Sequence, residues 1–152
     1  MRPLEHSLPL KLLNAREAVM ERFRPHLHAN GLTEQQWRVL RALAEAEELD
    51  VGTLSRRITL LMPSLSRMLP DLEKRGLLSR RRSPQDARLM LARLTGEGQA
   101  LFARVGAESE RIYAAIEAQV GRQTLQELMR ALDTVQARLA APRDPAGGGS
   151  GA

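Results

Sequence analysis

The sequence predicts a mainly α-helical fold carrying one small β-wing, and three observations point there. Aromatic residues make up only 3% of the chain against an apolar fraction of 43%, so the core is mostly Leu, Ala, Val and Ile, which suit helices. Apolar residues recur at three- and four-residue intervals at both ends of the chain. Between them, a stretch from Pro63 to a stop at Gly76 is followed by two short runs, Leu77–Arg82 and Arg88–Leu94, around Ser83-Pro84-Gln85-Asp86. A helix opened by proline and closed by glycine, then two strands joined by a turn, is the order of a winged helix-turn-helix. In such a lobe one element enters the major groove of DNA, and the hairpin reaches phosphates or the minor groove beside it.

At 152 residues the chain fits one domain, or a domain with a dimerisation appendage. It has no cysteine, which excludes disulfides and thiolate metal sites. No signal-peptide core and no bilayer-spanning apolar run is visible, so the expectation is a soluble, cytoplasmic protein without a membrane role. The net charge of +5 is unevenly placed. Residues 52–95 hold ten Lys and Arg and only Asp71, Glu73 and Asp86, a local net of +7, while the remainder sums to −2. A cationic footprint confined to the helix and hairpin is what a nucleic-acid surface requires. A merely solvated basic face is the plainer alternative.

Residues 4–29 are predicted as a first helix, with Leu12, Val19, Phe23 and Leu27 on one stripe. Arg16 falls on that stripe. A guanidinium there needs a carboxylate, such as nearby Glu17 or Glu21, or a bound anion. Asn30-Gly31 ends this helix in the left-handed manner. Thr33 and Gln36 form a capping box for a second helix, whose stripe is Trp37, Leu40, Leu43 and Ala44. Trp37 reads as core, or as the lining of a ligand pocket shared with Arg16 and Arg38.

An acidic connector, Glu45 to Asp50, follows, and Leu49-Asp50-Val51 can add a third strand to the wing. Residues 52–59 read as a short helix with Leu54 and Ile58 inward and Arg56 and Arg57 outward. Thr59 to Met62 turns the chain into the recognition helix. The candidate DNA-binding residues are Thr53 and Arg56, then Pro63, Ser64, Ser66 and Arg67 at the head of that helix, and Arg80, Arg82, Asp86 and Arg88 in the wing. Arg67 can pair with guanine, and the hydroxyls can serve bases or phosphates. Pro70 should kink or widen the helix, since it lacks an N–H and crowds the preceding turn.

Leu78, Leu89 and Leu91 are expected to supply the wing's apolar contacts, with the Ser-Pro-Gln-Asp turn polar and exposed. Asp86 and Arg88, two apart in an extended segment, can share one side, the aspartate orienting the arginine. Thr95-Gly96-Glu97-Gly98 caps the next helix. Stripes along 96–121 and 123–140 exceed what a small lobe needs to cover itself. Together with the first helix they suggest a homodimer, which suits a palindromic operator in double-stranded DNA. The predicted organisation is one regulator domain over 1–141, with 1–31 and 96–141 as dimerisation helices, 32–95 as the DNA-binding lobe, and a disordered tail over 142–152 rich in Pro, Gly and Ser.

Enzyme chemistry finds no support. His6, His26 and His28 are the only histidines, and the last two splay apart on a helix, so no metal site is expected. No phosphate-cradling glycine loop, nucleophile elbow or Ser, His and Asp grouping is present, and no cofactor is implied.

The layout from about Leu8 to Leu139 resembles the MarR family of dimeric winged-helix transcriptional regulators. The most specific stretch is Asp86-Ala87-Arg88 followed by Leu94-Thr95-Gly96-Glu97-Gly98, similar to that family's wing tip and the start of its long dimerisation helix. Ala15-Arg16-Glu17-Ala18, Phe23-Arg24-Pro25, Gly31 to Arg38 and Pro63-Ser64-Leu65 are similar to the homoprotocatechuate degradation operon regulators within it. Pro70 departs from the family pattern. The resemblance implies a repressor of an aromatic-acid catabolic operon, released by a small phenolic carboxylate between the DNA-binding lobe and the helical base. By the same resemblance Arg16 is the candidate for the carboxylate, and the pocket read above from the residues adds Trp37 and Arg38 as effector-binding candidates. Two other readings stand next to this one: a regulator or architectural DNA binder without a small effector, and a basic helical module that docks on an acidic protein.

Overall fold

The computed structural model describes residues 3–140; the tail expected over 142–152 lies outside the described residues. A 3-10 turn, Leu4–His6, leads into α1 (Leu8–Ala29), α2 (Glu34–Ala46), β1 (Glu48–Asp50), α3 (Val51–Arg57), α4 (Met62–Lys74), β2 (Leu78–Arg82), β3 (Met90–Leu94), α5 (Gly96–Val120) and α6 (Arg122–Ala140). Helices dominate, and the strands form a three-stranded antiparallel sheet in the order β1-β3-β2. Winged helix-turn-helix is therefore the fold.

Local chemistry sets most boundaries. The predicted first helix begins only at Leu8, with Pro9 tolerated in its first turn, where an N–H has no partner to lose. It ends at Gly31, φ +66°, where Leu32 N–H reaches Leu27 O at 2.9 Å. α4 stops the same way: Gly76 has φ +72°, and Leu77 N–H donates to Leu72 O at 3.0 Å. The Thr33–Gln36 capping box is formed, at 3.1 and 3.0 Å. The third strand exists but sits one residue early, because Asp50 caps α3 and makes Val51 its first residue.

The turn between α3 and α4 repeats the glycine-type ending with no glycine. Leu60 N–H donates to Ser55 O at 3.1 Å, and Thr59 occupies the left-handed position at φ +52°. A β-branched residue there is strained. The buried Ser55 hydroxyl, which donates to Leu60 O at 2.5 Å, holds the turn closed.

Core packing joins Phe23 and Leu27 of α1, Leu40 and Leu43 of α2, Leu54 of α3, Leu65, Leu69 and Leu72 of α4, and Leu78, Ala92 and Leu94 of the sheet, all buried. Pro70 does not interrupt α4, which runs unbroken through it. Both Pro70 and Ser66, whose carbonyl loses its partner, are exposed, so water can take that bond. Pro25 sits inside α1 on an exposed position in the same way.

The wing corrects three expectations. Leu89 is 42% exposed, and the sheet's buried residues are Leu78, Ala92 and Leu94. Ser83 is buried, its hydroxyl accepting the N–H groups of Gln85 and Asp86 at 3.3 Å each. Asp86 and Arg88 lie on a turn rather than an extended segment.

By compactness the chain divides within α5, between Ile112 and Tyr113. In the first unit, Gly98 lies against Leu77: a Cβ at this position would stand 1.9 Å from the Leu77 carbonyl oxygen. In the second, Gly121 (φ +96°) separates α5 from α6, and α6 has no buried residue; Leu128, Met129, Val135 and Leu139 are exposed.

Candidate nucleic-acid interface

α3, α4 and the wing enclose a groove of about 610 Å³. Thr53 and Arg56 border it from α3, Ser66 from α4, and Arg80 and Arg88 from the wing. These five of the ten predicted DNA-binding residues meet at one surface. Pro63, Ser64, Arg67, Arg82 and Asp86 are not among its lining residues.

Each cation is held differently. Asp50, the α3 cap, receives Thr53 N–H at 2.9 Å, and Arg56 Nη2 donates to Thr53 Oγ1 at 3.0 Å. Hydrogen bonds from Thr53 hold the Asp50 carboxyl below its ordinary range. Arg67, exposed on the outer face of α4, has no hydrogen bond or ion pair among the described residues. Arg80 projects from the inner face of β2 and donates to Glu73 of α4 at 2.5 Å, tying wing to recognition helix. Arg82 Nη1 donates to the Ala87 carbonyl at 3.0 Å.

At the wing tip, Arg88 grips Asp86 with two side-chain hydrogen bonds, Nε to Oδ1 at 3.0 Å and Nη2 to Oδ2 at 2.9 Å, while its own N–H donates to Oδ1 at 3.0 Å. The Arg88 side chain is still 90% exposed. Its contacts pull the Asp86 carboxyl below the ordinary aspartate value. The result is a pre-oriented guanidinium at the end of a hairpin, suited to a phosphate or a narrow minor groove.

The three candidate effector residues are not brought onto one another. Arg16 pairs with Glu17 at 2.7 Å and also with Glu34 of α2. Arg24 joins the same two acids, each at 2.5 Å, which completes an alternating four-residue cluster. Burial pushes the Glu34 carboxyl up, but hydrogen bonds from Arg24 and Arg16 outweigh it and leave it below its ordinary value. Trp37 is buried and stacked on Phe102, with ring centroids 5.4 Å apart. Arg38 turns instead to the Ile58 carbonyl at the end of α3, at 2.8 Å.

Glu17 was legible in the sequence as a partner of Arg16. Glu34 was not, since it is 18 residues away and only the packing of α1 on α2 brings it close. Phe102, the partner of Trp37, carried no sequence signal either. His26, one of the three histidines, serves the fold: its Nε2 lies 3.0 Å from the Val105 carbonyl.

The MarR family model matches residues 32–90. The chain is 42% identical over 130 residues to the homoprotocatechuate degradative operon repressor of Escherichia coli, spanning 86% of this chain and 88% of that one. The crystal structure of NadR in complex with 4-hydroxyphenylacetate is 38% identical, with a TM-score of 0.76 over 94% of this chain and 99% of NadR. The repressor CouR bound to a 23-mer DNA duplex is 30% identical, with a TM-score of 0.80 over 88% of this chain and 94% of CouR. With a helix and a cationic wing facing one groove, and with relatives that are transcriptional regulators along most of their length, this chain belongs to the MarR family and is a winged-helix transcriptional repressor of the MarR type.

Proposed function

We propose that this repressor binds a palindromic operator as a homodimer and releases it when a small aromatic carboxylate binds. The observation that carries the DNA half is the single groove bordered by Thr53, Arg56, Ser66, Arg80 and Arg88. In this reading Pro63, Ser64, Ser66 and Arg67 meet the major groove, Arg80, Arg82, Asp86 and Arg88 work beside it, and the helices within 32–95 form the DNA-binding lobe. The helices within 1–31 and 96–141 supply the dimer contact. Exposed Leu8, Leu12, Leu13 and Val19 on α1 and Leu128, Met129, Val135 and Leu139 on α6 support that role.

The effector class rests on relatives: the Escherichia coli repressor acts on a homoprotocatechuate operon, and NadR holds 4-hydroxyphenylacetate. Arg16 is the side chain we assign to the effector carboxylate, with Trp37 and Arg38 as its flanking candidates. The incoming acid has to displace Glu17 or Glu34, which already occupy the guanidinium. That prior occupancy is the specific observation favouring a second reading, a regulator without a small effector. A ligand releases DNA only through unequal affinity for the bound and free conformations.

The test is a titration of the promoter beside the protein's own gene, with and without phenylacetate- and benzoate-type acids, at fixed salt. We expect these acids to weaken operator binding by the wild type and to leave Arg16→Ala unaffected. An unchanged wild-type response would favour the effector-free reading. Equal affinity for operator and random duplex would remove the specific-repressor reading altogether.

A further inference from the structure

The head of α4 presents apolar side chains where a groove-entering helix usually presents polar ones. Leu61 is the N-cap and makes no side-chain capping bond; the residue is 78% exposed. Met62 follows at 43% exposure, on the rim of the groove between α4 and the wing, and Pro63 is exposed after it. A leucine in this position forgoes the capping bond that Ser, Thr or Asp would give and places an isobutyl group in water. Among the described residues no side-chain hydrogen bond caps this end of α4. Leu61 and Met62 stand at the place where Ser66 and the unpaired Arg67 are also exposed, with half-buried Ser64 between them.

We propose that Leu61 and Met62 read thymine methyl groups in the major groove. The C5-methyl of thymine is the apolar group that base edges expose there, and small apolar side chains recognise it by contact. Cytosine, adenine and guanine offer only donors and acceptors at the same depth. Arg67, a turn further along the helix, has the free guanidinium that suits a guanine edge. The half-site therefore carries one or two thymines on the side of the N-terminus of α4, next to a guanine. This rests on α4 being the helix that enters the groove, and adds which bases its first residues select.

Replacement of thymine by uracil removes the methyl and leaves base pairing intact. A duplex selected from a random-sequence pool by the full-length protein is made once with thymine and once with uracil in the half-sites. Each is titrated with the wild type and with a variant carrying Leu61→Ala and Met62→Ala, whose exposed side chains leave the core untouched. The wild type is expected to lose affinity on the uracil duplex by about fourfold per thymine contacted, the effect of one buried methyl-sized group. The variant binds the thymine duplex more weakly and loses nothing further on uracil. Equal wild-type affinity for both duplexes overturns the proposal, and so does a uracil penalty that survives in the variant. Failure to select any duplex would instead end the DNA-binding reading beneath it, so the two failures are told apart.

Discussion

Three consecutive arginines in β2 meet three different fates, and the pleat explains them. Arg80 and Arg82 fall on the inner face and Arg81 on the outer. Arg80 reaches Glu73 on α4, Arg82 takes the Ala87 carbonyl near the wing tip, and Arg81 makes a two-bond pair with Glu48 of β1 at 3.0 and 2.8 Å. A run of basic residues is thus not a uniform DNA-binding surface. Arg81 is engaged in the sheet, and Arg88 at the tip is oriented outward. Arg88→Ala should lower operator affinity by about tenfold and reduce the slope of log affinity against log salt by about 1. Arg81→Ala should change the affinity far less. Equal losses in the two variants, read by fluorescence anisotropy across a salt series, would show that charge alone and not placement sets binding.

At the scale of elements, two backbone positions decide how the lobe holds its helices. Thr59 keeps the turn before α4 in a left-handed conformation that costs a β-branched residue about 1–2 kcal/mol. Thr59→Gly should therefore raise stability, by about 1 kcal/mol once the extra entropy of glycine in the unfolded chain is counted. Gly98 works the other way. Any side chain there collides with the backbone carbonyl of Leu77, which no rotamer change can move aside. Gly98→Ala should destabilise by about 2–3 kcal/mol, since the first turn of α5 must shift from the strand it abuts. Urea unfolding of the two variants beside the wild type checks both signs; a neutral Gly98→Ala would mean the helix start relaxes freely. At exposed Pro70 the helix continues because water can take the place of the lost hydrogen bond, whereas water cannot relieve a steric clash such as a side chain at position 98 would make.

For the whole molecule, charge links stability to pH. Glu34 and Glu48 lie below their ordinary 4.5, and Asp50 and Asp86 below their ordinary 3.8, each held ionised by hydrogen bonds from arginine or Thr53. Groups lowered in the folded state add stability that is fully present above the unfolded value and is lost as pH falls through the folded one. Stability should hold from neutral pH down to about 4.5 and decline below it. Glu34→Gln should flatten the acid limb of a pH series of urea midpoints. An acid limb unchanged in this variant would show that the Arg16–Glu17–Arg24–Glu34 cluster contributes little. Among the described residues no helix is long and apolar enough to cross a membrane, and α1 and α6 carry exposed apolar residues. Sedimentation at a series of concentrations should return a dimer, and a monomer would remove the spacing of two recognition helices on which operator binding relies.

Alone, the sequence determined the kinds of element, their order and most of their ends. The Thr33–Gln36 box, Gly31 and Gly76 act within about one turn of the chain, so their chemistry is local, and the helical stripes mark the faces that packing then buries. What only the tertiary structure decided is which charged and polar groups meet. Glu34 on Arg16, Glu48 on Arg81 and Glu73 on Arg80 all depend on elements that packing brings together. An arginine can satisfy its charge with any acid within reach, and reach is set by packing rather than by spacing along the chain.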